Sequence, residues 1–308
     1  MKSGETMGAG SGTVRLLVGF SEGSASNIVA QMIAPALGNV LNQTIRVERI
    51  EGENGALCGE VLARARADGQ TLAIAIQANI IGSLMHKKKR YDPLVDFAPV
   101  SLIAKSPMVL VVSNTLNVKT AAELIALARA QPGQVAYAAS AVGGAPHLAG
   151  VLFDALAGTR MRLKVYKETN TLWEDLAAGR AAVTFNNVMS ALPLARAGKV
   201  RILAVTARER SVEAPEIPTL SEAGLADYEI VNFVGIVAPA ATPAPMVANI
   251  NAAIAQAVAT PEVRASLRNS GMESIVGTPA DFAHHMRLEI ERWKGFIQAN
   301  NALFTEPV

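Results

Sequence analysis

Apolar runs of strand length alternate with helical patterns along nearly the whole chain, and that rhythm admits few folds. Residues 13–20 read as a strand, 27–41 as a helix with Ile28, Val29, Met32, Ile33 and Leu37 on one side, 44–50 as a strand, 54–66 as a helix and 70–76 as a strand. Strands that are apolar throughout and joined by helices imply right-handed crossovers and a mainly parallel sheet. The rhythm breaks at 98–113, an apolar run too long for one buried strand and interrupted by Pro107. It then restarts, with helices over 120–131, 146–157, 171–178 and 190–197 set among strands at 135–140, 162–167, 181–187 and 200–207. A second long apolar run occupies 228–239, and helical patterns at 243–259, 261–269 and 278–299 close the chain. Two extended segments bracketing a self-contained α/β block predict a chain that crosses into a second domain and returns. The last helix repeats Phe282, Met286, Ile290, Trp293 and Ile297 at helical spacing, a stripe expected to pack in the core.

Length agrees with two domains, because 308 residues exceed what one core usually organises. The basic and acidic residues nearly cancel, 28 against 26, and the basic ones are scattered apart from Lys87-Lys88-Lys89-Arg90. That run reads as a solvated turn; without interleaved aromatics or a recognition helix it does not point to nucleic acid. The single cysteine, Cys58, excludes an internal disulfide, a zinc cluster and a CxxC pair. His284 and His285 lack acidic or cysteine companions for a metal. No apolar run reaches the ~18 residues of a membrane span, and residues 1–12 lack the apolar core of a secretory signal, reading as a disordered leader in place of a removed segment. The GAGSG within that leader precedes the first strand, so it is not a dinucleotide-binding loop, and no cofactor is implied.

Ligands of open parallel sheets bind beyond the carboxyl ends of the strands, where helix N-termini point free N–H groups. The polar clusters sit there: residues 21–27, 77–79, 140–147, 167–171 and 186–187. The first includes Gly19-Phe20-Ser21-Glu22-Gly23, which satisfies the G-x-S-x-G pattern of a hydrolase nucleophile elbow. An elbow requires upstream strands to donate the oxyanion hole, and Ser21 ends the first strand, so serine hydrolysis is the weaker alternative to a ligand loop. In SAVGGAPH (140–147) Gly143 and Gly144 allow backbone to approach a ligand, and Pro146 suits a helix start.

These loops, in this order, resemble those of the Bug-type extracytoplasmic solute receptors, the substrate-binding components of tripartite tricarboxylate transporters. The family's first loop runs roughly F-P-P-G-G-x-[ST]-D, and the matching stretch is Phe20-Ser21-Glu22-Gly23-Ser24-Ala25-Ser26-Asn27. YDPLVDFAPVSLIA (91–104), YAASAVGGAPHLAG (137–150), VYKETNTLWEDLAAG (165–179), FNN (185–187), GKVRILAVTARER (198–210), PEIPTLSEAGL (215–225) and GIVAP (235–239) follow in order. The resemblance implies a two-lobe α/β periplasmic binding protein of type II, the Venus-flytrap form, with two interlobe crossover segments near 105–114 and 228–237. Lobe one would comprise 13–108 with 234–308, and lobe two 109–233. It implies a periplasmic monomer, not an enzyme, that captures a small organic acid between the lobes. The acid would pass to membrane subunits of a tripartite transporter or be sensed through a sensor kinase. The expected contacts are Phe20, Ser24, Ala25, Ser26, Asn27, Gln77, Asn79, Ser140, Ala141, Val142, Gly143, Gly144, His147, Tyr166, Thr169, Asn186 and Phe233. Phe233 is expected to cover the ligand's apolar part. Where relatives carry aspartates, this chain has Asn27 and Asn186, so the expected ligand lacks an α-amino group unless Glu22 or Glu168 supplies the counter-charge.

Overall fold

The computed structural model describes residues 12–85, 89–140, 142–211 and 214–304. The expected leader, the lysines at 87 and 88 and the site candidate Ala141 lie outside the described residues. The first lobe opens with β1 (Thr13–Val18), α1 (Ala25–Leu41), β2 (Thr44–Arg49), α2 (Ala56–Ala63), β3 (Thr71–Ile76) and the short α3 (Gln77–Ile80). β4 (Phe97–Ser113) leads into α4 (Ala121–Ala130), β5 (Ala136–Ala139), α5 (Ala145–Ala157), β6 (Arg162–Val165), α6 (Thr169–Ala177), β7 (Val183–Asn187), α7 (Val188–Arg196) and β8 (Val200–Val205). β9 (Val231–Pro239) returns the chain to α8 (Ala244–Ala259), α9 (Pro261–Asn269), β10 (Glu273–Ser274), α10 (Pro279–Ala299) and α11 (Asn301–Phe304).

Side-chain caps mark several helix starts: Ser24 Oγ accepts from Asn27 N (3.3 Å), Thr120 Oγ1 from Glu123 N (3.1 Å) and Asn187 Oδ1 from Met189 N (2.8 Å). At α10, Thr278 and Asp281 cap each other's backbone N–H groups, with Pro279 in the first turn. β3 and α3 meet without a loop, and α3 was not anticipated because its apolar and amide residues continue the strand's pattern.

The strands form two sheets with the same internal order. In the first, β2, β1 and β3 are parallel, then β9 and β4 run antiparallel. In the second the order is β6-β5-β7-β4-β8, again with the first three parallel and the last two antiparallel. β4 belongs to both: Phe97–Pro107 pairs with β9, whereas Met108–Ser113 pairs with β7 and β8. The expectation that this run is too long for one strand therefore fails, because each half is buried in a different sheet. Pro107, which lacks a donor, falls where the partners change.

Both faces of β1 are covered, Leu16 and Val18 packing with Ile33 and Ile254, Leu17 with Ala73 and Leu62. The second sheet has its own cluster around Val109, Val111, Leu172, Leu176 and Val205. A third cluster is continuous between the lobes, running from Leu17 and Ala75 through Phe185 and Tyr228 to Phe282, Met286, Ile290 and Trp293 of α10.

Candidate functional site

The loop after β1 turns at Gly23 (φ +80°) and enters α1 through Ser24. Ser24 and Ser26 hydroxyls lie 3.2 Å apart, Ser26 and Asn27 are buried, and Ala25 is half-buried. The first N–H groups of α1 have no intrahelical partner, and its first turn holds no acidic residue. Phe20 lies over the next loop: a Cβ at Gly55 would fall 2.8 Å from its ring and 3.5 Å from Asn79 Cβ. Glu22 points away, its side chain 85% exposed and 3.3 Å from Arg49.

At the end of β3, two amides of similar sequence context part ways. Asn79 Oδ1 accepts from Ile76 N (2.7 Å) and its Nδ2 donates to Ile74 O (3.0 Å), so the side chain is spent on holding the strand-to-helix turn. Its carbonyl accepts from the Tyr91 hydroxyl at 2.5 Å. Gln77 is only 1% exposed, yet neither Oε1 nor Nε2 has a hydrogen-bond partner.

In the second lobe, Ser140 is exposed, Val142 half-buried, and Gly143 and Gly144 buried at the start of α5, whose first turn also lacks acidic residues. Gly143 (φ +76°) donates its N–H to His147 Nδ1 at 3.0 Å. Burial pulls the His147 pKa down to about 4, so the ring is neutral near pH 7, with Nδ1 as acceptor. The ring stacks on Tyr137 and meets Phe304 edge-on. Gly143 also touches the first lobe: a Cβ there would lie 2.9 Å from Gly82 Cα and 3.4 Å from Met85 Sδ. Gly82 and Met85, in the 3-10 turn after α3, were not expected at the site. Gly82, directly after an apolar run, is a signal of close backbone approach that the sequence carries.

Tyr166 is turned to its own lobe. Its hydroxyl donates to Asp175 (2.7 Å) and, with Arg180 and Lys164, holds that carboxyl down at about 2. Thr169, the first residue of α6, and Glu168 are exposed. Asn186 Oδ1 accepts from its neighbour Asn187 N at 2.8 Å. Asn187 instead ties the crossing together, Nδ2 donating to Ser106 Oγ (2.7 Å) and Ser270 O (3.1 Å) while Ser106 donates to Gly271 O (2.9 Å).

Phe233 does not sit where the sequence places it. It is 1% exposed, and its ring packs edge-on against Phe282 at 6.3 Å and His285 at 4.8 Å on α10. Its face of β9 is therefore the core face. The structure thus gathers Phe20, Ser24–Asn27 and Gln77 at strand ends of one lobe, touching at Gly82 the Gly143 loop of the other. Asn79 holds the β3–α3 turn that carries Gln77, whereas the Tyr166 side chain is bound to Asp175 within its own lobe. Among the described residues no cluster of histidine, cysteine, aspartate and glutamate could hold a metal, and no helix is long and apolar enough to cross a membrane.

The pattern of the family described as tripartite tricarboxylate transporter family receptor matches residues 29–302. Among solved structures, R. palustris Rpa4515, determined with adipate, superposes with a TM-score of 0.86 at 32% identity, covering 94% of this chain and 97% of its own. MatC from Rhodopseudomonas palustris, with bound malate, gives a TM-score of 0.83 at 27% identity, covering 92% and 98%. The periplasmic binding protein BugD shares the fold, with a TM-score of 0.83 at 23% identity over 94% and 97% of the two chains. By the extent of that match and the agreement of fold, the chain belongs to the receptor family of the tripartite tricarboxylate transporters and has the two-lobe α/β architecture of a periplasmic binding protein.

Proposed function

We propose that this chain captures a small carboxylate between its lobes in the periplasm and, as a monomer, presents it to the membrane subunits of a tripartite transporter. One observation carries the reading. α1 and α5 both begin in loops of this cleft without an acidic residue in the first turn, and the α5 loop meets the first lobe at Gly82. The first-turn N–H groups left outside the helical ladder, apart from the Asn27 N–H capped by Ser24 and Pro146, which has none, together with the positive end of the helix dipole, favour an anion at both places. The adipate and malate in the two R. palustris structures support the ligand class.

The proposed lobes are 13–108 with 234–308, and 109–233. The proposed contacts are Phe20, Ser24 to Asn27, Gln77, Gly143 and Gly144, with His147 positioning the second loop. The ligand lacks an α-amino group, because the amides of Asn27 and Asn186 cannot neutralise an ammonium and Glu22 is engaged with Arg49 at the surface. The cleft carries out binding, not hydrolysis. Ser21 is exposed on backbone without positive φ, and His147 Nδ1 is taken by Gly143.

A thermal-shift screen of mono- and dicarboxylates, amino acids, aromatic acids and amides, followed by calorimetry, tests this. A true ligand at ~100 times its Kd stabilises by ~2.7 kcal/mol. Micromolar binding of an α-amino acid with its deaminated analogue inert would refute the ligand class, and turnover abolished by Ser21→Ala would refute the receptor reading.

A further inference from the structure

Buried amides without partners are rare, because losing water without regaining hydrogen bonds is unfavourable for both the carbonyl and the NH2. Among the described residues, buried side-chain atoms without a partner occur at Gln77 Oε1, Gln77 Nε2 and His285 Nε2. His285 lies on α10 against Phe233, away from the gathered loops. Gln77 stands directly after β3, in the short helix whose following turn carries Gly82 to its contact with Gly143. The side chain of nearby Asn79 closes the turn on the backbone of Ile76 and Ile74, so the fold does not need the Gln77 amide for that purpose.

An amide has two donors on Nε2 and an acceptor on Oε1. A carboxylate offers acceptors only; it would satisfy Nε2 and set its own negative oxygen near Oε1. The complementary group is neutral and both donates and accepts: a hydroxyl or a carboxamide. We infer that Gln77 is a specificity-determining residue that reads such a neutral group on an organic acid whose carboxylate is held at the helix N-termini. This inference rests on the carboxylate-receptor reading and refines it.

The test is calorimetry on matched sets sharing a chain length: a hydroxy acid, its deoxy analogue, the dicarboxylate and its monoamide. Wild type is expected to favour the hydroxy acid or the monoamide over the deoxy acid and the dicarboxylate by at least about tenfold. Which of the two binds more tightly identifies hydroxyl or carboxamide. Gln77→Met, of similar volume, is expected to bring the preferred acid down to the level of its deoxy analogue without lowering the ligand-free melting midpoint. Gln77→Glu, which replaces the donor by an acceptor, is expected to weaken every acid in the set.

Wild type that binds acids without this preference would overturn the inference and leave the receptor reading standing. Gln77→Met that keeps the wild-type preference would also overturn it. So would a lowered ligand-free midpoint with preference intact, which would show an amide that serves folding. If no acid of any class binds, the receptor reading falls and this inference with it.

Discussion

His147 couples the binding loop to pH, and its contribution can be isolated. Burial lowers its pKa from an ordinary 6.5 to about 4, so the folded protein resists a proton that the unfolded chain accepts. The stability held by the neutral ring is complete above pH 6.5 and is lost as pH falls toward 4. With those two values the loss between pH 7 and pH 5 is about 2 kcal/mol. Asp154, whose carboxyl is pushed up to about 6, mainly by burial, works the other way. It disfavours the fold as pH rises through its window, so acidification returns about 1.3 kcal/mol and masks about two-thirds of the effect in wild type. His147→Gln keeps an acceptor for the Gly143 N–H and removes the titration. Urea unfolding of both proteins at pH 7 and pH 5 gives the difference with the Asp154 contribution cancelled. The advantage of wild type over the variant should shrink by about 2 kcal/mol on going to pH 5. A difference independent of pH would refute the assignment of a buried, neutral His147 beneath the loop.

Gly143→Val places a branched side chain on a backbone of φ +76° and against Gly82; ligand affinity should be lost, and small-angle scattering should show no ligand-induced compaction, whereas retained compaction would remove this contact from closure. Gly271→Ala, at φ +67° with a Cβ 2.5 Å from Met189 Cγ and 2.6 Å from Asn187 Oδ1, should destabilise by at least about 1–2 kcal/mol in chemical denaturation, and a neutral result would mean that the Asn187 tie yields freely. Phe233→Ala should cost about 3–5 kcal/mol of stability while the folded protein keeps its affinity; weakened binding with unchanged stability would return this ring to the ligand. Cys58 is fully buried and its thiol is pushed up to about 12 by burial, so a thiol reagent should label it only at the rate of opening, and rapid labelling of the native protein would contradict that packing.

Much of this was legible in the residues themselves. Strand-length runs such as those of β1 and β3 are apolar at consecutive positions, which only burial on both faces explains, and that dictates helices above and below a parallel sheet. Caps are local chemistry, so Ser24, Thr120 and Thr278 mark helix starts wherever the chain goes. Polar loops at strand ends follow from the same rule, and the loops around Ser24 and Gly143 lie where it puts them.

Other features depend on partners distant in sequence. Pattern alone cannot tell that β4 changes neighbours at Pro107, because a strand paired with β9 looks the same as one paired with β7 and β8. Period-two alternation says that Phe233 shares a face with its second neighbours, but which face meets ligand and which meets α10 was decided only when Phe282 and His285 came to rest on it. Gln77 and Asn79 are alike as letters. The turn they occupy lets Asn79 reach the backbone of Ile74 and Ile76 and leaves the longer Gln77 amide buried and without a partner, a distinction set by three-dimensional reach rather than by residue type.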